Sequence, residues 1–146
     1  MKILIKLSFL LITVGCSHRE HIELAPYMAN LQRYSAELGH SIHEENKDLS
    51  LFYTEELKET ASEVIEKFPT YDELPVATMT QTLVSPLIEA LEMSIQASNW
   101  KTSIEEYKSL INGCNDCHIG TEHSFIKITP SLFKNVGYNQ DFSSLD

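Results

Sequence analysis

Five consecutive residues carry most of the chemistry legible in this chain: Cys114-Asn115-Asp116-Cys117-His118, the pattern C-x-x-C-H. Two thiols one helical turn apart can add across the two vinyl groups of a single haem, and a histidine directly after the second thiol can place a ring nitrogen on the iron. The pattern therefore predicts one covalent haem c, with Cys114 and Cys117 as thioether sites and His118 as axial iron ligand. Rival chemistries for paired cysteines fit less well. A zinc site needs a second pair of ligands, and the chain has three cysteines in all. A thioredoxin-type redox pair needs βαβ surroundings and a helix N-terminus to acidify its thiols. A Cys114–Cys117 disulfide in an exported protein is the bland alternative.

The elements that must position these residues read as helices. Glycine is scarce and strand-like alternation is absent. Four amphipathic stretches are predicted, with no low-complexity segment and no obvious internal repeat. The first begins near Pro26, a residue suited to a first helical turn, with Met28, Leu31, Tyr34 or Ser35, Leu38 and Ile42 facing inward. The second runs from about Lys47 to Lys67. Leu49, Phe52, Tyr53, Leu57, Ala61, Val64 and Phe68 line one side and Glu55, Glu56, Glu59, Glu63 and Glu66 the other. Phe68-Pro69 stops it. The third covers about Val76 to Ala97, with Met79, Leu83, Leu87, Ala90, Leu91 and Ile95 inward; Pro86 either kinks it, the favoured reading, or stands at the first position of a new helix capped by Ser85. The fourth opens after Asn99 as N-cap, and its stripe Ile104, Tyr107, Ile111, Cys114, His118 runs into the haem motif. Tyr107, two turns before Cys114, has the best claim among the tyrosines to a haem contact. Gly113 is expected to let the macrocycle lie close to the backbone. His123 is predicted to point to solvent or to a haem propionate, and His40 and His43 to lie at the surface.

The N-terminus predicts export. Met1 to Lys6 is a short basic start and Leu7 to Val14 is mostly apolar, too short to span a bilayer as a mature helix. Gly15-Cys16 resembles the end of a bacterial lipoprotein signal, which implies that Cys16 becomes a lipidated N-terminus; Thr13 departs from that pattern. The cysteines are then all assigned, one to lipid and two to haem. The predicted organisation is a signal peptide over 1–15, a tether over 16–25, a haem-binding bundle over 26–123 and a tail over 124–146 packed on the domain. The formal net charge is −10, and loss of Lys2 and Lys6 with the signal makes it more negative. That balance argues against nucleic acid and anionic lipid surfaces as partners and leaves the lipid anchor to hold the protein on a membrane. Ser17 lacks the aspartate that retains many lipoproteins in an inner membrane, which points to the periplasmic side of a Gram-negative outer membrane.

Four amphipathic helices with C-x-x-C-H on the last resemble the cytochrome c′ type of small bacterial cytochrome-c-like protein. The likeness spans about residues 26 to 142. It rests on Met28-x-x-Leu31-Gln32, Leu38, Asn46-x-x-Leu49, Pro86-Leu87-x-x-x-Leu91, Tyr107, the haem motif, Phe125-Ile126 and Asn139-Gln140-x-Phe142. Only the haem motif is highly specific. The resemblance implies an all-α antiparallel four-helix bundle holding haem between the helices, a helix-one residue covering the far side of the iron, and a homodimer as a common state of the family. Glu122 stands where typical members have an arginine beside a propionate.

At the far side of the iron, Met28 is either a core methionine or a sixth ligand. Met/His ligation raises the reduction potential and suits electron transfer with redox partner proteins. Without it, the iron is five-coordinate and suited to nitric oxide or carbon monoxide. An enzyme such as a peroxidase would need distal acid/base residues, typically His with Arg; around Met28 the chain offers Tyr27, Asn30, Gln32 and Arg33, and the expectation is a carrier rather than an enzyme.

Overall fold

A computed structural model describes residues 23–132. Within them the chain is all helix and connection: α1 (Ala25–His43), α2 (Lys47–Lys67), α3 (Val76–Leu83), α4 (Ser85–Gln96) and α5 (Trp100–Gly120). Going round the bundle, α1 packs on α2, α2 on α4, α4 on α5 and α5 on α1, while α3 packs against α2, α4 and α5. Four helices thus form a bundle, and α3 is an added short piece. The interior holds Leu38, Ile42, Leu57, Ile88, Leu91, Ile95, Tyr107, Leu110 and Ile111, all nearly inaccessible.

The two tight turns of this bundle are the same turn. Leu38-x-x-Ser41-Ile42-x-x-x-Asn46-x-x-x-Ser50 joins α1 to α2, and Leu91-x-x-Ser94-Ile95-x-x-x-Asn99-x-x-x-Ser103 joins α4 to α5. Each residue of the second stands 53 positions after its counterpart, as Leu91 does after Leu38. In the first, Glu45 N–H donates to Ile42 O (3.1 Å) and Asn46 N–H to Ser41 O (2.9 Å); in the second, Ser98 N–H donates to Ile95 O (2.8 Å) and Asn99 N–H to Ser94 O (3.0 Å). This is the Schellman pattern, which closes a helix through one left-handed residue. Here that residue is Glu45 (φ 54°) or Ser98 (φ 52°). The next residue immediately caps the following helix: Asn46 Oδ1 accepts from Leu49 N–H and Asn99 Oδ1 from Thr102 N–H. Below each turn a serine pair bridges the two helices, Ser41 with Ser50 and Ser94 with Ser103, each 3.0 Å apart and buried. The expectation of no internal repeat is therefore corrected. The repeat lies in spacing and hydrogen bonding, with few identical residues to betray it.

Three further expectations need correction. The third stretch is two helices rather than a kinked rod. It breaks at Val84 (φ −114°), with Ser85-Pro86 opening α4. Pro86 has no N–H to continue the ladder and fits a first turn. The break shifts the inward series, so that Thr80, Val84 and Ile88 are buried while Met79, Leu83 and Leu87 are only half-buried. Phe52, expected inward, is 54% exposed and lies edge-on to Tyr53. Gly113 serves the break rather than a macrocycle: a Cβ there would strike the Leu83 carbonyl and the Leu87 side chain.

Candidate functional site

One apolar cavity of about 460 Å³ opens between α1, α3 and α5. That size falls inside the roughly 300–1,000 Å³ typical of cofactor and small-molecule sites. Cys114, Cys117 and His118 all stand on its α5 wall, and Met28, with Leu24 and Leu31, on its α1 wall. Tyr71, Leu74, Val76 and Thr80 close it from the crossover and α3. Among the described residues, no Asp, Glu, Lys or Arg lines it.

The register of α5 explains this. Cys114, Cys117 and His118 fall at a 3–4 spacing, so one helical face presents all three. Both thiols are free. Burial pushes the Cys114 thiol up to about 11, with the Cys117 thiol adding to it, and burial raises Cys117 too. Protonated, desolvated thiols near a helix C-terminus are the opposite of the acidified pair a disulfide oxidoreductase uses. Among the described residues, no group of three or more His, Cys, Asp or Glu is placed to hold a bare metal ion.

His118 is held by its outer nitrogen. Nδ1 lies 3.0 Å from the Ile126 carbonyl oxygen. A carbonyl only accepts, so Nδ1 carries a proton, and in the neutral ring the lone pair is then on Nε2. Such a backbone-held tautomer is how metal-ligating histidines are commonly oriented.

The Ile126 carbonyl reaches His118 because α5 ends in a third copy of the Schellman turn. Glu122 N–H donates to Ile119 O (3.2 Å) and His123 N–H to His118 O (2.7 Å), with Glu122 left-handed at φ 61°. After this turn no new helix starts within the described residues, and residues 123–132 run back along α5 as a strap. Asn115 takes Ile128 in two bonds, Nδ2 donating to its carbonyl (3.0 Å) and Oδ1 accepting from its N–H (2.8 Å). Further along, the Tyr107 hydroxyl accepts from Ser131 N–H (3.0 Å).

This geometry changes two expectations. His123 does not simply continue α5 onto another face; the turn brings it to the wall of the same cavity, with Nδ1 donating to Thr121 O at 2.5 Å. Tyr107 is not among the cavity-lining residues. It is fully buried, and a Cβ on Gly39 would strike its hydroxyl, so its place is at the close approach of α1, α5 and the strap. The signal that could have revealed its role is Gly39 itself, a glycine inside an otherwise regular helix.

Met28 lines the cavity and also packs beside Val64, Phe68 and Val76 in a second apolar cluster. Met93 is 65% exposed on α4, and Met79 packs over Gly120. His43 is exposed and His40 half-buried near the first turn. Arg33 pairs with Glu37 at 3.5 Å and covers the Tyr34 ring, away from the cavity lining. Cys16 and the tail beyond residue 132 lie outside the described residues. Among those described, no helix is long and apolar enough to cross a membrane. Comparison with protein-family models, with curated proteins and with solved structures found no match.

Proposed function

We propose that this chain is a monohaem c-type cytochrome of the cytochrome c′-like kind, exported, anchored through lipid on Cys16 at the periplasmic side of the outer membrane, and carrying one electron between redox partner proteins. The observation that carries this reading is an apolar cavity whose wall bears both thiols and a histidine whose Nδ1 is bonded to a backbone carbonyl. The residues fit the group. Each thiol would add its S–H across one vinyl double bond, sulfur to one carbon and hydrogen to the other, with no oxidant needed. His118 would then meet the iron from the same face. The bound haem supplies one-electron exchange between ferric and ferrous iron. The protein's own contribution is a largely apolar lining and an imidazole held by a backbone carbonyl. Met28 on the α1 wall is positioned as candidate sixth ligand.

A second reading, a five-coordinate haem protein binding nitric oxide or carbon monoxide, draws on Met28's other contacts, since a methionine packed beside Val64, Phe68 and Val76 has a structural job without iron. In neither reading does the cavity supply the paired His and Arg of a peroxidase, and the proposal is a carrier rather than an enzyme.

The deciding experiment is intact mass after expression in a host that attaches haem to C-x-x-C-H. A gain of one haem that survives acid–acetone extraction is expected; unmodified Cys114 and Cys117 would overturn the reading. The Cys16→Ser protein should keep its spectrum and leave the membrane fraction, and retention after a high-salt wash would count against the lipid anchor.

A further inference from the structure

Asn115 occupies a position that the C-x-x-C-H pattern treats as a spacer, yet its side chain makes the strongest attachment of the strap to α5. Both its amide groups are used on one residue, Ile128, at 2.8 and 3.0 Å. Two residues earlier in the strap, the Ile126 carbonyl accepts from His118 Nδ1–H. One turn of α5 and one short stretch of strap thus form a closed unit: Asn115 grips Ile128, and Ile126 grips His118. The free imidazole side chain would otherwise be at liberty to rotate or to exchange its ring proton between the two nitrogens.

We propose that Asn115 is the positioning residue for His118, acting through the strap to keep the ring proton on Nδ1 and Nε2 aimed into the cavity. This rests on the proposed haem reading for its purpose, but the arrangement itself belongs to the chain and is measurable without assuming haem. Around the Ile126 carbonyl itself the strap has little support. Ile126 N–H donates to His123 O within the strap's own first turn, and Phe125 and Ile126 are exposed at 80% and 42%. Apolar packing begins only at Ile128 and Leu132, which lie against the main core, and the paired amide bonds of Asn115 fix the backbone of Ile128 in register with α5. The third attachment, Ser131 N–H to the Tyr107 hydroxyl, lies five residues beyond Ile126 and three beyond Ile128, so Asn115 stands between it and the histidine.

The test reads the His118 Nδ1 proton by nitrogen-resolved NMR on the full-length chain, in its haem-loaded ferrous form or without haem. In the wild type the proton should be observed on Nδ1 and exchange slowly with solvent. In Asn115→Ala it should exchange about tenfold faster, the effect of losing roughly 1 kcal/mol of hydrogen bonding that holds the acceptor in place. Asn115→Asp keeps the acceptor for Ile128 N–H and should restore part of the protection. Tyr107→Phe releases only the far end of the strap and should leave exchange within about twofold of wild type. In the haem-loaded chain, loss of the Nδ1–H bond makes the imidazole a weaker donor to ferric iron. Asn115→Ala should therefore raise the potential by about 59 mV for each tenfold change in the ferric-over-ferrous preference.

Unchanged exchange in Asn115→Ala would overturn the proposal. So would equal acceleration in Tyr107→Phe, which would make the whole strap, not Asn115, the determinant. A wild-type proton found on Nε2 would overturn it as well. Absence of haem by mass would defeat the functional reading while leaving the exchange measurement to stand on its own.

Discussion

The α1–α2 and α4–α5 hairpins share one skeleton and carry different loads. Leucine, serine, isoleucine, asparagine and serine recur at the same places in their turns, with matched hydrogen bonds. Further from the turn the buried positions still correspond: Leu57 with Leu110 and Val64 with Cys117. The counterparts of Cys114, Cys117 and His118 are Ala61, Val64 and Ile65. One hairpin is packed with hydrocarbon where the other presents two thiols and an imidazole. The surroundings differ too: Cys114, Cys117 and His118 line the cavity, whereas Ala61, Val64 and Ile65 do not, and Val64 belongs to the second apolar cluster. The free ends differ as well. α2 leaves through Phe68-Pro69 into a two-residue turn, with Asp72 and Glu73 left-handed and Tyr71 bridged to Leu74. α5 instead doubles back as the strap that holds His118.

The sharpest way to break this comparison is to exchange the loads. His118→Ala should abolish stable iron ligation, whereas Ile65→Ala, its counterpart and also half-buried, should leave the haem spectrum intact and cost only stability; both are read from the optical spectrum of the purified protein. Loss of the spectrum in Ile65→Ala would mean that the first hairpin shares the site.

Next in size is Met28→Ala. As sixth ligand, Met28 keeps the wild-type iron low-spin and slow to take up carbon monoxide, and its removal should turn the ferrous form high-spin, open it to rapid binding and lower the potential. As a packing residue, its truncation should cost about 2–5 kcal/mol in denaturant unfolding and leave gas binding as in wild type. Stopped-flow carbon monoxide binding in the two proteins, side by side, separates the outcomes.

The paired turns offer a finer test. Asn46→Ala and Asn99→Ala should each cost about 1 kcal/mol, by loss of a helix cap, and by similar amounts if the turns are equivalent. A difference well beyond that figure in urea unfolding would show that only one turn is under tension from its surroundings. Smallest of all, Glu45→Gly and Ser98→Gly should stabilise by up to about 1 kcal/mol each. A left-handed L-residue is strained by roughly 1–2 kcal/mol, part of which the unfolded-state freedom of glycine takes back. Thermal midpoints would register both.

Much of the bundle was legible in sequence because burial, helical period and capping act locally. Pro26, Phe68-Pro69 and Asn99 marked helix ends that the structure keeps to within a residue or so. C-x-x-C-H put three chemically capable side chains on one face. What stayed hidden depends on contacts between distant residues. The break at Val84 is matched to Gly113 on another helix. The place of Tyr107 depends on Gly39 and Ser131, and the approach of His123 to the cavity on a left-handed glutamate, a residue type that does not advertise that conformation. The repeat escaped because its identical residues are few and scattered across the turn, with different residues between them.

The shared turn also bears on how quickly such a chain can find its shape. Each hairpin closes through a connection of three residues between helices, so its partners meet after only a small loop-closure loss. The pairing of α1 with α5, by contrast, brings together segments most of the chain apart. Topologies dominated by near-neighbour contacts are those that fold fastest. The two hairpin pairings are therefore local in sequence, whereas α1 with α5 and α2 with α4 join the halves at longer range, and the cavity bearing Cys114 and Cys117 needs walls from both halves.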